Sequence, residues 1–220
     1  MGKLLNRRPE PTWAIAHLFP AQGTWSEEEY LDLHTNRLVE FSDGYLDVLP
    51  MPTTSHQQIV AYLYGLLLAF VTTKDLGTVL FAPLRVRLWR GKFREPDLVF
   101  MAKEHVSRIH EQFWHGADLA MEVVSGEGED EDRRRDLVVK RREYARAKIG
   151  EYWIIDPRQQ RITVLRLAGK TYAVHGEFAT DTVATSALLS GFSVDVTAAL
   201  APAVRATARR RTRNGQSKHR

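Results

Sequence analysis

A glutamate set inside an apolar run restricts this chain more than any other feature. Leu119-Ala-Met-Glu122-Val-Val124 reads as a strand, and a charge within such a run costs several kcal/mol unless it finds a partner. A second acid, Asp97, opens the short run Leu98-Val-Phe100 directly after Pro96, which holds the preceding backbone extended. Two carboxylates on neighbouring strands can converge on one hard cation. Magnesium suits such a pair, because it takes carboxylate oxygens while keeping waters that can act on a phosphate. The plainer alternative is that Asp97 caps a turn and Glu122 faces solvent on an edge strand. If the two acids face each other without a metal they repel, and neutralising one, as in Glu122→Gln, is expected to relieve strain.

The remaining segments surround these strands. Ser26 and Glu29 make a capping-box pattern that opens a short helix. Arg37–Phe41 and Tyr45–Leu49 are apolar runs separated by Ser42-Asp43-Gly44, a hairpin signal. Ser55, with Gln58 three residues on, caps a helix in which Ile59, Leu63, Leu66, Leu67 and Phe70 recur at helical spacing, and Gly77 ends it. Leu84, Val86 and Leu88 then alternate with Arg85, Arg87 and Arg90, giving one apolar and one basic face. A charged stretch from Ser125 to Arg135 leads into a helix from about Asp132 to Lys148. Glu151–Asp156 follows as a strand that Pro157 stops, and Arg161–Leu167 and Thr171–His175 form a second hairpin. This order predicts an α/β fold with a mixed sheet and helices packed on it.

One lysine stands out on the predicted 132–148 helix. Leu137, Lys140 and Tyr144 fall at i, i+3 and i+7, on a single stripe. A lysine on an apolar stripe either snorkels outward or meets a carboxylate. The helix directly follows the Glu122 strand, so its buried face can lean over that strand's end. From there a lysine could neutralise charge building up on a phosphoryl transition state, or orient an attacking water.

Composition narrows the class. With 220 residues and 44% apolar content the chain can bury one sizeable core. It has no cysteine, which excludes disulfides, thiolate zinc sites and cysteine nucleophiles and suggests the cytoplasm. The longest apolar stretch, Ile59 to Val71, is too short to span a bilayer. The net charge is +4, but residues 203–220 hold seven Lys and Arg and no acid; without them 24 basic residues stand against 27 acidic. Residues 1–24 therefore read as a flexible lead-in, 25–200 as the domain, and 201–220 as a basic tail too poor in apolar residues to fold.

Pro96-Asp97 followed by Glu122-Val-Val124 resembles the motif of the PD-(D/E)XK nuclease superfamily, with Val124 where that motif carries its lysine. A wider pattern is similar to the Uma-two family of restriction endonucleases, from about Glu29 to Val196. It comprises Glu40-x-x-Asp43-Gly44, His56 at the head of the long helix, Glu95-Pro-Asp97-Leu, Glu122-Val-Val-Ser125, Lys140-x-x-x-Tyr144 and Glu151-Tyr-Trp-Ile-Ile-Asp156-Pro157. In that family the lysine stands on the following helix, where Lys140 matches it. The resemblance implies a restriction-endonuclease-like fold and a magnesium-dependent endonuclease acting on double-stranded DNA, with manganese able to substitute. It implies Asp97 and Glu122 as metal ligands with the Val123 carbonyl as a third, and Glu40 and Lys140 completing the catalytic set. His56 matches a recurrent family position and equally suits a helix-end hydrogen bond.

The Arg85, Arg87 and Arg90 face and the tail would supply phosphate contacts that fix register without reading sequence. Cleaving both strands needs two sites, hence a homodimer. Tyr152 and Trp153 read as core, and Asp156 as a turn acceptor before Pro157. Two competing readings stay open. Val124 allows a non-cleaving nucleic-acid-binding or interaction module on the same fold, and the acidic body allows a metal hydrolase of small phosphorylated molecules.

Overall fold

The computed structural model describes residues 19–35, 37–124 and 131–216, with the backbone alone of 131, 132, 136 and 207–216. Numbered in chain order, β3 (Gly77–Phe81), β6 (Leu98–Ala102), β8 (Leu119–Val123), β9 (Glu151–Asp156), β10 (Arg161–Ala168) and β11 (Thr171–Ala179) form one sheet in the order β11-β10-β9-β8-β6-β3. Its β8–β9 pair is parallel and its other pairs antiparallel. A smaller sheet, ordered β2-β1-β5-β4-β7, contains β1 (Val39–Ser42), β2 (Tyr45–Val48), β4 (Val86–Trp89), β5 (Lys92–Arg94) and β7 (Trp114–His115). β12 (Val183–Thr185) and β13 (Ser193–Asp195) pair separately. The expected mixed sheet flanked by helices is present, and its strands divide over two sheets.

Helices cover both faces of the larger sheet. The buried stripe of α2 (Thr54–Thr73), Ile59, Val60, Leu63, Leu67 and Val71, packs on Leu98, Phe100, Met121, Val123, Trp153 and Ile155. On the other face α4 (Lys140–Arg146) brings Tyr144 and Ala145 against Ala120, Val124, Tyr152 and Ile154. Tyr152 and Trp153 are both core residues, one on each face, as period-2 alternation requires. α1 (Glu27–Leu31) carries the expected capping box and lays Tyr30 on Phe41 and Phe93 of the smaller sheet. The Asp43-Gly44 turn joins Ser42 to Tyr45 with both residues at positive φ, the geometry of a two-residue hairpin.

Three expectations change. The cap of α2 is Thr53, not Ser55; its hydroxyl accepts from the His56 N–H at 3.2 Å, which sets His56 in the first helical turn. The segment expected as one helix from Asp132 to Lys148 is α3 (Glu131–Arg134), a π turn over Arg135–Val139, and α4; the Ser125–Asp130 part of the charged stretch lies outside the described residues. The tail expected not to fold from residue 201 is helical in backbone through Gln216, as the continuation of α5 (Val196–Gln216). Val196, Ala199 and Leu200 are buried in the core, so packing supplies the costly nucleus. Alanine and arginine, which dominate beyond it, are among the best helix formers. Of the expected lead-in, residues 1–18 lie outside the described part. Residues 19–24 are docked: the Gln22 amide both accepts from Leu46 N–H at 2.8 Å and donates to Leu46 O at 3.0 Å.

The acid that opens the Glu151–Asp156 strand has a purely architectural use. Glu151 is fully buried and accepts from Trp153 Nε1 (2.6 Å), Ser186 Oγ (2.7 Å) and the N–H groups of Ala187 (2.5 Å) and Leu188 (2.8 Å). It ties the 186–188 segment to the sheet. Glu151→Ala would leave those buried donors without an acceptor. At about 1–3 kcal/mol for an unsatisfied group, partly recovered by water, we expect a loss of about 3 kcal/mol in urea unfolding, with Glu151→Gln in between.

Candidate active site

The chain passes from the smaller sheet to the larger one through Glu95-Pro96-Asp97, between β5 and β6. The antiparallel register Leu98↔Met121 sets Asp97 one residue beyond the last pair, across from Glu122. Ala120 and Val124 flank Glu122 in the cluster under α4, so alternation turns the Glu122 side chain to that face as well. Asp97 Oδ2 accepts the Val123 N–H at 2.7 Å and lies 3.2 Å from His56 Nε2, which reaches it from the first turn of α2. A turn-capping Asp97 and a solvent-facing Glu122 are therefore not what the structure contains; Glu122 is 3% exposed.

Lys140 opens α4 immediately after the π turn, a feature that changes helical register by one residue. It does not snorkel. It is buried, with Nζ 2.9 Å from Glu122 Oε1 and 3.8 Å from Glu40 Oε1. One turn on, the Tyr144 hydroxyl donates to the same Glu122 oxygen at 2.6 Å. Val124 packs beside Tyr144 and Ala145. Two residues along the same strand face from Glu122, it occupies the place from which a strand-borne lysine would reach the acids, and the helix delivers Lys140 there instead.

Glu40, on β1, is fully buried beside this group and is bound to Arg94 Nη1; the Glu95 N–H approaches its Oε1 at 3.4 Å. Arg94 forks onto Glu143 as well, through Nε at 2.7 Å and Nη2 at 3.0 Å. Glu143 also receives Lys92 Nζ at 2.8 Å, and Lys92 donates to Ser42 Oγ at 2.6 Å. Arg94, Glu143 and Lys92 are thus site residues that the sequence does not single out, whereas Tyr144 is marked by its place on the Lys140 stripe. Arg94 and Lys92 lie in β5, whose three residues are all buried, so no alternation marks a polar face.

Burial alone would push the Glu40 carboxyl up, but the charges of Lys140, Arg94 and Arg135 outweigh it and hold Glu40 below the usual carboxylate range. Burial also opposes a charged His56, yet the hydrogen bond and charge of Asp97, with Glu122 and the Val123 carbonyl, leave its net shift upward. Glu95 is pushed up to about 7 by burial and by Glu40. Burial and the neighbouring Glu122 keep the Tyr144 hydroxyl protonated, so it remains a donor.

The donor set fits a hard divalent cation. Asp97 and Glu122 are carboxylates across from each other on neighbouring strands, with the Val123 carbonyl next in sequence, and oxygen donors of this kind are the chemistry magnesium takes. Among the described residues no three acidic or histidine side chains are grouped to hold an ion unaided. Glu40 lies against Arg94 and Lys140.

The basic face expected on β4 is largely committed inside the protein. Arg85 donates to Leu31 O (2.6 Å) and Leu33 O (2.9 Å), holding the end of α1. Arg87 pairs with Glu27 at 2.8 Å. Arg90, in the β4–β5 turn, is exposed. Asp156 takes its expected turn role, accepting the Arg158 and Gln159 N–H groups at 3.1 Å each, and also binds Arg133.

Residues 27–198 match the model of the Uma2 family, described as "Putative restriction endonuclease". The chain belongs to the Uma2 family. A solved structure similar to it is titled "Crystal structure of a putative nuclease belonging to DUF820 from Anabaena variabilis ATCC 29413", at 16% identity and a TM-score of 0.65, covering 81% of this chain and 99% of that one. No curated protein matches the chain. The likeness in fold extends to nearly the whole of that neighbour. The lysine beside Glu122 comes from the helix that follows its strand. Among the described residues no helix is long and apolar enough to cross a membrane.

Proposed function

We propose that this Uma2 protein is a cytoplasmic, magnesium-dependent endodeoxyribonuclease that hydrolyses phosphodiester bonds in double-stranded DNA and acts as a homodimer. The observation that carries the reading is Lys140 Nζ, buried and 2.9 Å from Glu122 Oε1, on the strand that runs beside the one Asp97 precedes. Asp97, Glu122 and the Val123 carbonyl would hold the cation. When bound, it supplies a polarised phosphate oxygen and a water of lowered pKa. Val123 N–H and His56 fix the Asp97 carboxylate, and Tyr144 fixes that of Glu122. Lys140 presents a positive charge beside the reacting phosphate, where charge builds in the transition state. Glu40, bound by Arg94 and 3.8 Å from Lys140, stands behind the site as a buried charge and touches neither the cation nor the substrate. Plasmid cleavage by the purified protein with magnesium, with manganese and with EDTA tests the reading. Nicking or linearisation that needs the divalent ion supports it, and none under any condition overturns it.

With Arg85 and Arg87 engaged internally, binding to DNA falls to Arg90, exposed residues such as Arg142 and Arg146 on α4, and the α5 extension. Truncation after Ala206 removes six Lys and Arg and leaves the buried α5 residues in place. It is expected to weaken DNA binding and flatten its salt dependence by about 0.9 in log–log slope for each phosphate no longer neutralised, with little change in kcat at saturating DNA. Equal affinity and slope for the two chains would remove the extension from the interface.

A further inference from the structure

We propose that Arg94 is a positioning residue that decides which carboxylate Lys140 serves. The inference rests on the nuclease reading of the Asp97, Glu122 and Lys140 group and adds to it a residue outside that group. Lys140 stands between two buried acids, 2.9 Å from Glu122 and 3.8 Å from Glu40. Both are negative, and the ammonium is within hydrogen-bond distance of Glu122 alone of the two. What breaks the tie is the guanidinium. Arg94 gives Nη1 to Glu40 and its Nε and Nη2 to Glu143, which is the planar fork that lysine cannot reproduce. Glu40 therefore already has a cation, and Lys140 is left to Glu122.

Glu143 would survive the loss of Arg94, because Lys92 stays 2.8 Å away. Glu40 would not. It would keep the Glu95 N–H at 3.4 Å, the charge of Arg135, which is itself paired with Asp47, and Lys140. A stranded buried carboxylate would draw the ammonium across, away from the acid that the chemistry uses. Arg94 is 5% exposed at its side chain and Glu40 is fully buried, so neither can touch DNA, and any effect has to travel through Lys140.

The test combines two substitutions. Arg94→Met is expected to lower kcat about tenfold or more, an effect of about 1.4 kcal/mol on the barrier, with KM for DNA unchanged. Adding Glu40→Gln removes the stranded charge, so Arg94→Met/Glu40→Gln should regain most of the lost kcat. Crystal structures should show Lys140 Nζ displaced toward Glu40 in the single variant and back on Glu122 in the double. A role confined to stability would lower folded yield without this rescue. If Arg94→Met yields no folded protein, Arg94→Lys, which can reach only one of the two acids, takes its place in the same comparison. Unchanged kcat in the single variant, a double variant no better than the single, or a lysine that stays on Glu122 would each overturn the proposal. Should the wild-type protein cleave nothing, the nuclease reading falls, and the lysine position in the two crystal structures decides this one.

Discussion

Glu122→Gln is expected to lower kcat for magnesium-dependent DNA cleavage by about a thousandfold, the scale on which removal of a preorganised electrostatic group acts. Glutamine keeps the size of the side chain and loses the charge that a cation and Lys140 both need. Its effect on stability reverses the sign expected from two acids repelling each other. Glu122 holds Lys140 at 2.9 Å and the Tyr144 hydroxyl at 2.6 Å, so its charge is already compensated by the protein. Neutralising it weakens a buried ion pair, with Glu40 at 3.8 Å as the lysine's remaining described carboxylate. We expect a loss of about 2 kcal/mol in thermal or urea unfolding with EDTA present. A variant that cleaves at the wild-type rate would remove Glu122 from the chemistry. One that melts higher than the wild type would restore the repulsion argument.

Lys140→Met is expected to be costly in both respects. On the proposed role of Lys140 beside the phosphate, cleavage should fall by about a hundredfold or more when its charge is removed. Stability should fall by about 3–5 kcal/mol, the range for removing one member of a buried pair. Arg94 still holds Glu40 and Tyr144 still donates to Glu122, which favours the lower end. Lys140→Arg keeps the charge, but a forked guanidinium has to fit where a point charge sat; we expect most of the stability back and less of the activity. Denaturant titration and single-turnover cleavage of the same preparations separate the two effects. Wild-type stability in Lys140→Met would mean that the two acids never depended on it.

Much of this site was legible from residue order. A charge inside Leu119–Val124 has to be partnered, and Lys140 on the apolar stripe of the next helix was a candidate partner. The 2.9 Å approach of Lys140 to Glu122 is that pairing. Asp97 was visible because Pro96 precedes it and an apolar run follows. Arg94 and Glu143 were not, since their importance is their bonding to each other and to Glu40. Arg94 and Glu40 are 54 positions apart in sequence, and Arg94 and Glu143 are 49 apart. Arg85 and Arg87 failed in the opposite direction. Alternation marked them correctly as the polar side of their strand, but it cannot distinguish a face open to solvent from one covered by α1 and its connecting residues.

What the sequence determined by itself is local and periodic: the capping box at Ser26, the Asp43-Gly44 hairpin, the apolar strands that fill the larger sheet and the helical stripe carrying Lys140 and Tyr144. These follow from backbone sterics and from the 2.0 and 3.6 residue periods, which short segments express before any long-range pairing forms. Tertiary structure decided the rest. It divided the strands over two sheets, so that Glu95-Pro96-Asp97 crosses between them and Glu40 of one sheet meets Glu122 of the other through Lys140. It placed the π turn ahead of Lys140, and it carried α5 as helix beyond the point where composition alone predicts an unfolded tail. The physical reason is the same in each case: buried charges and helix ends are stabilised by partners distant in the chain, and only packing brings those partners together.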